Sequence, residues 1–153
     1  MRRREFVTYV GGAVAWPLVA RAQQPAMPVV AFINGGLANA EPGRVAAFRK
    51  GLSETGYIED QNVRVEYHWL EGHYERIPAL LTEIIDRHVA VIATPAFTSA
   101  ALAAKAATAT IPIVFSVGED PVALGLVVSL AHPGGNATGM NVLPSRSTPN
   151  GLR

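Results

Sequence analysis

After residue 27 the chain alternates between short apolar runs and longer amphipathic stretches, a pattern that predicts strands and helices in turn. Continuous apolar runs bounded by glycine, proline or asparagine are typical of strands buried on both faces. Such a run occupies residues 28–33, and residues 89–93, 111–116 and 138–143 are predicted to form further strands. In a further segment Val63, Val65, Tyr67 and Trp69 alternate with polar residues, which predicts a half-exposed strand or one near a sheet edge.

The stretches between the first three strands have helical periodicity. Pro42 is expected to open a helix that presents Val45, Phe48 and Leu52 on one side, with Gly56 at its C-terminal cap. The next helix has the clearest pattern, because its apolar residues follow the i, i+3, i+4, i+7, i+8 spacing. They are Ile77, Leu80, Leu81, Ile84 and Ile85.

One threonine-proline pair and one aspartate-proline pair predict the two remaining helices. Thr94 is expected to cap an alanine-rich helix whose first residue is Pro95. Asp120 and Pro121 repeat this arrangement and predict a helix that reaches about Leu130. Strand and helix therefore alternate throughout, which predicts a doubly wound α/β domain with a mostly parallel sheet of about five strands.

The N-terminal segment has the organisation of an export signal. Three arginines, Arg2 to Arg4, precede an apolar run over residues 6–20, and Ala20-Arg21-Ala22 resembles a cleavage site. The run falls short of the roughly 20 residues that span a bilayer. We expect a twin-arginine-type signal peptide over residues 1–22, cleaved near Ala22, although an ordinary basic n-region remains an alternative. Residues 144–153 lack any apolar period and are expected to form a disordered tail.

The charge balance changes once this signal is set aside. The chain has 13 basic and 12 acidic residues, and residues 1–22 hold four of the former and one of the latter, which leaves 9 against 11. A nucleic-acid partner therefore has no electrostatic support. The chain contains no cysteine, which excludes disulfides, thiolate metal sites and cysteine nucleophiles.

Three loops offer candidate binding residues, because ligands of open parallel sheets lie beyond the carboxyl ends of the strands. The loops follow the first, third and fourth strands, and they combine glycines, short polar side chains and helix N-termini that suit a carboxylate. The candidate residues are Asn34, Gly35, Gly36, Thr94, Phe97, Thr98, Ser116 and Asp120. The loops suit a small polar ligand such as an amino acid. Each residue also has a structural interpretation, as a helix cap, a turn residue or a buried aromatic.

Signals for catalysis are weak in this sequence. It contains no phosphate-binding glycine loop and no nucleophile elbow. His68 and His73 lie five residues apart, which is not the spacing of a zinc-binding helix, and Glu119-Asp120 before Pro121 fits a helix start better than an acid and base pair. We expect neither an enzyme nor a metal or other cofactor.

Several stretches together resemble one family of bacterial ABC-transporter substrate-binding proteins, described as TrpX-like or tryptophan/tyrosine-type. The stretches include Ala47-Phe48-Arg49-Lys50-Gly51-Leu52, Asn62-Val63-Arg64-Val65-Glu66-Tyr67, Gly72-His73-Tyr74-Glu75-Arg76 and Ile111-Pro112-Ile113-Val114-Phe115. The resemblance covers residues 1–143. It implies a periplasmic, monomeric binding protein of type I fold, with two α/β lobes that close on a ligand and deliver it to an ABC permease in the inner membrane. The implied contacts of the first lobe come from the same three loops.

The end of the chain departs from the family pattern. Thr138-Gly139-Met140 looks like the crossover into a second lobe, yet residues 144–153 do not resemble the continuation. We therefore expect the first lobe, residues 23–143, of a truncated binding protein. The alternatives are a non-functional fragment and a secreted α/β enzyme.

Overall fold

The computed structural model describes residues 26–142, which form one five-stranded α/β unit. The predicted signal segment lies outside these residues, as does the predicted tail. Strands and helices follow each other in the expected order, except that no helix separates the last two strands of the described residues. They are β1 (Val29–Asn34), α1 (Pro42–Glu54), β2 (Arg64–Trp69), α2 (Ile77–Asp86), β3 (Val91–Pro95), α3 (Thr98–Ala107), β4 (Ile113–Val117) and β5 (Ala137–Asn141).

The five strands form one sheet in the order β2-β1-β3-β4-β5, and every pairing is parallel. The chain moves outward from β1 to β2, then returns past β1 to β3 and continues to the opposite edge. This reversal puts a switch point between β1 and β3, where loops on opposite faces diverge and leave a crevice. The predicted doubly wound fold is confirmed.

Within residues 26–142, α1 is the only helix that packs on one face of the sheet. Val45, Phe48 and Leu52 pack against the side of β1 and β2 that carries Phe32, whose ring lies 5.0 Å from that of Phe48. Pro42 begins the helix as predicted. Gly56, with a φ of +88°, follows its end and donates to the Ser53 carbonyl, while the N–H of Tyr57 donates to the Leu52 carbonyl. These two bonds form a Schellman cap, so the predicted helix end is confirmed.

The opposite face carries the larger core. Helix α2 contributes the buried residues Ile77, Leu81 and Ile84, in agreement with its predicted apolar stripe. Helix α3 contributes Ala100, Ala101 and Ala104, all fully buried, whose small side chains let the helix lie close to the sheet. Each fully buried leucine or isoleucine stabilises such a core by about 1.5–3 kcal/mol.

The predicted start of the alanine-rich helix is wrong. Thr94 and Pro95 remain in β3, where they pair with Phe115 and Ser116 of β4. Ala96 then turns the chain with a φ of +51°, and α3 begins only at Thr98, with Phe97 at the N-cap position. Pairing with β4 outweighed the local cap-and-proline signal, because the side chain of Thr94 is fully buried within the sheet.

The predicted helix over residues 121–130 is also wrong. The Asp120 carboxylate accepts hydrogen bonds from the N–H groups of Val122 and Ala123, so a helical turn does begin there. Gly125, with a φ of +73°, ends it after one turn. Leu126 and Val127 then lie buried in the larger core, and the chain here forms turns in place of a regular helix.

Two smaller observations complete the fold. Strand β5 begins at Ala137, one residue before the predicted start, and is described as far as Asn141. None of the helices within residues 26–142 has the length and apolar character needed to cross a bilayer.

Candidate functional site

The carboxyl edge of the sheet gathers the loops that follow β1, β3 and β4, as predicted from the strand order. A cavity of about 640 Å³ lies at this edge. Its wall is formed by Ala96, Thr98, Gly118, Glu119 and Val142. The cavity is thus bordered by the first residue of α3, by the loop after β4 and by the residue that follows β5.

The loop after β1 is shaped by Asn34, whose side chain is almost entirely buried. Its Oδ1 accepts a hydrogen bond of 2.7 Å from the N–H of Gly36, and its Nδ2 lies 3.5 Å from the Glu41 carboxylate. The loop is also joined to the one after β2, because Glu71 and Gly72 donate backbone hydrogen bonds to Gly36 and Gly35. Asn34 therefore holds the loop in shape, which is the structural alternative considered for it.

Gly35 lies where two aromatic rings meet. A Cβ at this position would be 2.9 Å from the ring of Phe97 and 2.9 Å from that of Tyr74. The two rings have centroids 5.1 Å apart with an interplanar angle of 50°. Phe97 is buried, whereas Tyr74 is 50% exposed. Glycine allows this close approach, and the edge gains an aromatic surface that is open to solvent through Tyr74.

Hydrogen bonds join the loop after β3 to the loop after β4. Ala96 has a φ of +51°, a conformation that costs energy for a residue with a Cβ. Its N–H donates to Ser116 Oγ at 2.8 Å. The hydroxyl of Thr98 donates to Glu119 Oε2 at 2.9 Å. Strained backbone held by neighbouring contacts is common at binding sites, and here it turns the start of α3 toward the cavity.

The N-terminus of α3 has free hydrogen-bond donors. No side chain within the described residues caps it, and the first intrahelical bond runs from Ala101 N–H to the Phe97 carbonyl. The N–H groups of Thr98, Ser99 and Ala100 therefore have no acceptor within the helix. Such an end attracts a carboxylate or another anion.

The remaining predicted residues occupy different positions at this edge. Ser116 is half-buried and supports Ala96. Asp120 is exposed, and one of its carboxylate oxygens accepts the turn N–H groups of Val122 and Ala123. Thr94 is fully buried in β3 and is not among the residues that line the cavity. The structure thus brings Gly35, Phe97, Thr98 and Ser116 to one edge and sets Thr94 inside the sheet.

Sequence reasoning did not single out two residues of this edge. Glu119 was interpreted as helix-start chemistry, yet it lines the cavity and is bonded to Thr98. Tyr74 follows β2, a strand whose loop was not considered, and it reaches Phe97 only through the fold. The sequence carried a signal for Glu119, because it directly precedes the Asp-Pro pair in a candidate loop. It carried none for Tyr74.

Comparison with known proteins identifies related chains. Residues 27–147 match the family described as ABC transporter substrate binding protein. A curated relative, the Tyrosine-binding protein of Clostridioides difficile (strain R20291), is 32% identical over 95 residues, which are 60% of this chain and 26% of the relative.

Solved structures match over the same part of the chain. A conserved domain protein from Vibrio cholerae O1 biovar El Tor has a TM-score of 0.69 and 31% identity, covering 78% of this chain and 40% of that one. The ligand-free, open structure of a substrate binding protein with adhesive properties from Clostridium difficile has a TM-score of 0.69 and 25% identity, with the same coverage. The chain therefore spans well under half the length of these relatives.

Proposed function

Because this chain belongs to the family of ABC transporter substrate binding proteins, we propose that it serves in ABC import as a binding lobe for an amino acid. Its role is binding and not catalysis. One observation carries the proposal: the uncapped N-terminus of α3 borders a cavity that also holds the Glu119 carboxylate. The positive end of the α3 helix dipole and the negative carboxylate of Glu119 lie at one edge, an arrangement that suits the two charged groups of a zwitterion.

The two ends of an amino acid would meet different groups. The carboxylate would accept hydrogen bonds from the free N–H groups at the start of α3, where the helix dipole favours a negative charge. The ammonium group would bind Glu119, whose Oε2 is already held by Thr98 at 2.9 Å. A charge-assisted hydrogen bond to a carboxylate is among the stronger polar contacts.

The side chain of the ligand is proposed to be aromatic. Tyr74 is half-exposed beside Phe97 at the same edge, so a planar ring could pack against it in a tilted or offset arrangement. The curated relative is a Tyrosine-binding protein, which supports the same ligand class. L-tyrosine is therefore the first ligand to test.

The wider setting follows from the family and is likewise a proposal. The protein would act outside the cytoplasm, in the periplasm, after export by the signal segment of residues 1–22. It would act as a monomer and deliver its ligand to an ABC permease. A second lobe, as the family resemblance implies, would close over the cavity, because an open edge leaves half of a ligand in solvent.

Titration of the full chain with L-tyrosine, followed by amide NMR spectra, tests the site directly. We expect saturable shifts at Ala96, Thr98 and Glu119. The substitution Glu119→Gln should weaken binding about fivefold to tenfold, the effect of losing roughly 1 kcal/mol of charge-assisted bonding.

The matched control is Asp86→Asn, which removes an exposed carboxylate at the far end of α2. It should leave the affinity unchanged. Shifts confined to another surface, or equal effects of the two substitutions, would contradict a zwitterion site at the carboxyl edge.

A further inference from the structure

Within residues 26–142, strand β2 lies at one edge of the sheet. The N–H groups of Arg64 and Leu70 donate to Pro28 and Asn34, so the even-numbered residues of this strand bond to β1. In a parallel strand the alternate residues then direct both backbone groups away from that neighbour. Tyr67 and Trp69 therefore direct their N–H and C=O groups outward, and no other strand in residues 26–142 pairs there.

A groove with acidic walls runs along this edge on the α2 side of the sheet. It has a volume of about 750 Å³ and lies between the end of β2 and one stripe of α2. Glu71, Glu75 and Glu83 contribute carboxylates to its lining, and Arg76 contributes a guanidinium. Glu75 lies 3.1 Å from His73 Nδ1 and Glu83 lies 3.4 Å from Arg87, so Glu71 is the carboxylate of the three with no ion pair among the described residues. Ala79 and Leu80 are apolar residues of its lining. The groove therefore favours basic side chains with apolar stems.

A second groove flanks the same edge on the α1 side. It has a volume of about 430 Å³, and its lining includes Val45, Ala46, Tyr67 and Trp69. The rings of Tyr67 and Trp69 are stacked with centroids 6.4 Å apart and an interplanar angle of 8°. Arg49 lines this groove too, where its Nε lies 3.0 Å from the Tyr67 hydroxyl and is also paired with Glu59. This groove favours apolar side chains.

A strand added to an edge projects alternate side chains to opposite faces of the sheet. We propose that the β2 edge binds an extended segment of a partner protein in which basic and apolar residues alternate. Its backbone would pair with Tyr67 and Trp69 as a sixth strand. Its basic side chains would enter the acidic groove, and its apolar side chains would cover the aromatic one. Recognition of this kind combines main-chain hydrogen bonds with alternate side-chain pockets.

Charge argues for a partner of this composition. Glu71, Glu75 and Glu83 line the groove against the guanidinium of Arg76. A basic segment adds positive charge beside these carboxylates, and complementary charge across an interface favours association. The groove shares no lining residue with the cavity beside Glu119, so this proposal stands independently of the amino-acid site.

A fluorescein-labelled hexapeptide, Lys-Val-Lys-Leu-Lys-Val amide, is a direct probe of the edge. Anisotropy titration with the full chain should show saturable binding. Two further peptides carry backbone N-methyl groups on either the three lysines or the three apolar residues. Only one alternate set of N–H groups can face β2, so we expect one of them to lose affinity at least about tenfold and the other to bind as before. Equal affinities of the two methylated peptides would overturn the proposal.

Protein variants test the charge argument. The double substitution Glu71→Gln with Glu75→Gln should weaken binding of the unmodified probe severalfold at low salt. The control Glu54→Gln removes an exposed carboxylate of α1 that pairs with Lys50 and lines neither groove, and it should have no effect. Equal losses in both variants, or sedimentation that shows a dimer which the probe does not dissociate, would overturn the assignment of this edge to a basic partner segment.

Discussion

Single residues set the shape of the carboxyl edge through the space and the backbone angles that they allow. Gly35 admits the rings of Tyr74 and Phe97, and Ala96 adopts a left-handed conformation that Ser116 supports. Asn34 acts on the loop and not on the cavity, since both ends of its amide are engaged within the loop region. Small changes at these positions should therefore alter stability as well as binding.

The substitution Gly35→Ala tests how tightly the aromatic pair is packed. A methyl group would lie 2.9 Å from both rings, so the rings or the loop must move. We expect the free energy of unfolding to fall by about 1–3 kcal/mol, the usual cost of overpacking. Urea denaturation measures this change.

Gly43→Ala is the matched control, because a Cβ at this helical position meets nothing within 4 Å. It should leave stability unchanged or raise it by up to about 1 kcal/mol, since alanine favours a helix. A loss in the control equal to that of Gly35→Ala would show that the aromatic contact is not the cause.

Helices and strands show where local signals suffice and where they do not. Helix α1 begins at Pro42 and ends before Gly56 because its cap needs only neighbouring backbone groups. The start of α3 depended on the pairing of β3 with β4, and the turn after Asp120 depended on burial of side chains in the core. At both positions the proline and the cap residue predicted a longer helix than the structure has. Element ends are thus predictable where the chain satisfies its own hydrogen bonds locally.

The end of α1 can be tested by Gly56→Ala. Its φ of +88° is unfavourable for a residue with a Cβ, so the variant should lose about 1–2 kcal/mol of stability. Gly51→Ala, in the interior of the same helix with open space around it, should instead gain about 0.5–1 kcal/mol. Thermal unfolding followed by circular dichroism compares them. Changes of the same sign would contradict the role of the cap.

At the scale of the whole molecule, both faces of the parallel sheet are covered, and the two covering layers are unequal in size. α1 packs on one face, whereas α2, α3 and the buried Leu126 and Val127 pack on the other. His68 lies on the second face in β2, with Glu66 on the same strand, Glu83 on α2 and Arg87 at the C-terminal cap of α2. Burial lowers the pKa of His68, although Glu66 and Glu83 oppose this shift and Arg87 reinforces it.

The stability of the molecule should therefore depend on pH through His68. The imidazole of an unfolded histidine has a pKa near 6.5, which is higher than the pKa of His68 in the folded chain. Below this pH the unfolded chain binds the proton more readily, so stability is fully present above about pH 6.5 and is lost as the pH falls. His68→Gln should flatten the decrease in unfolding free energy between about pH 7 and 5. The exposed His132→Gln is the control, and an equally flattened profile there would refute the assignment.

The amino-acid sequence by itself determined the fold class of this protein. The alternation of apolar runs and amphipathic stretches specified parallel strands with helical crossovers, and the parallel order in turn predicted which loops share an edge. Asn34, Gly35, Phe97, Thr98 and Ser116 lie at that edge as expected. These features follow from local periodicity and chain connectivity, which sequence expresses directly.

The tertiary structure alone decided the chemistry of the surfaces. It buried Thr94, placed Glu119 beside the start of α3 and brought Tyr74 against Phe97 across the loops. It also placed an acidic and an aromatic groove on opposite sides of the β2 edge. Such contacts join residues far apart in the chain, and their geometry depends on strand register and helix packing, which no local pattern of residues encodes.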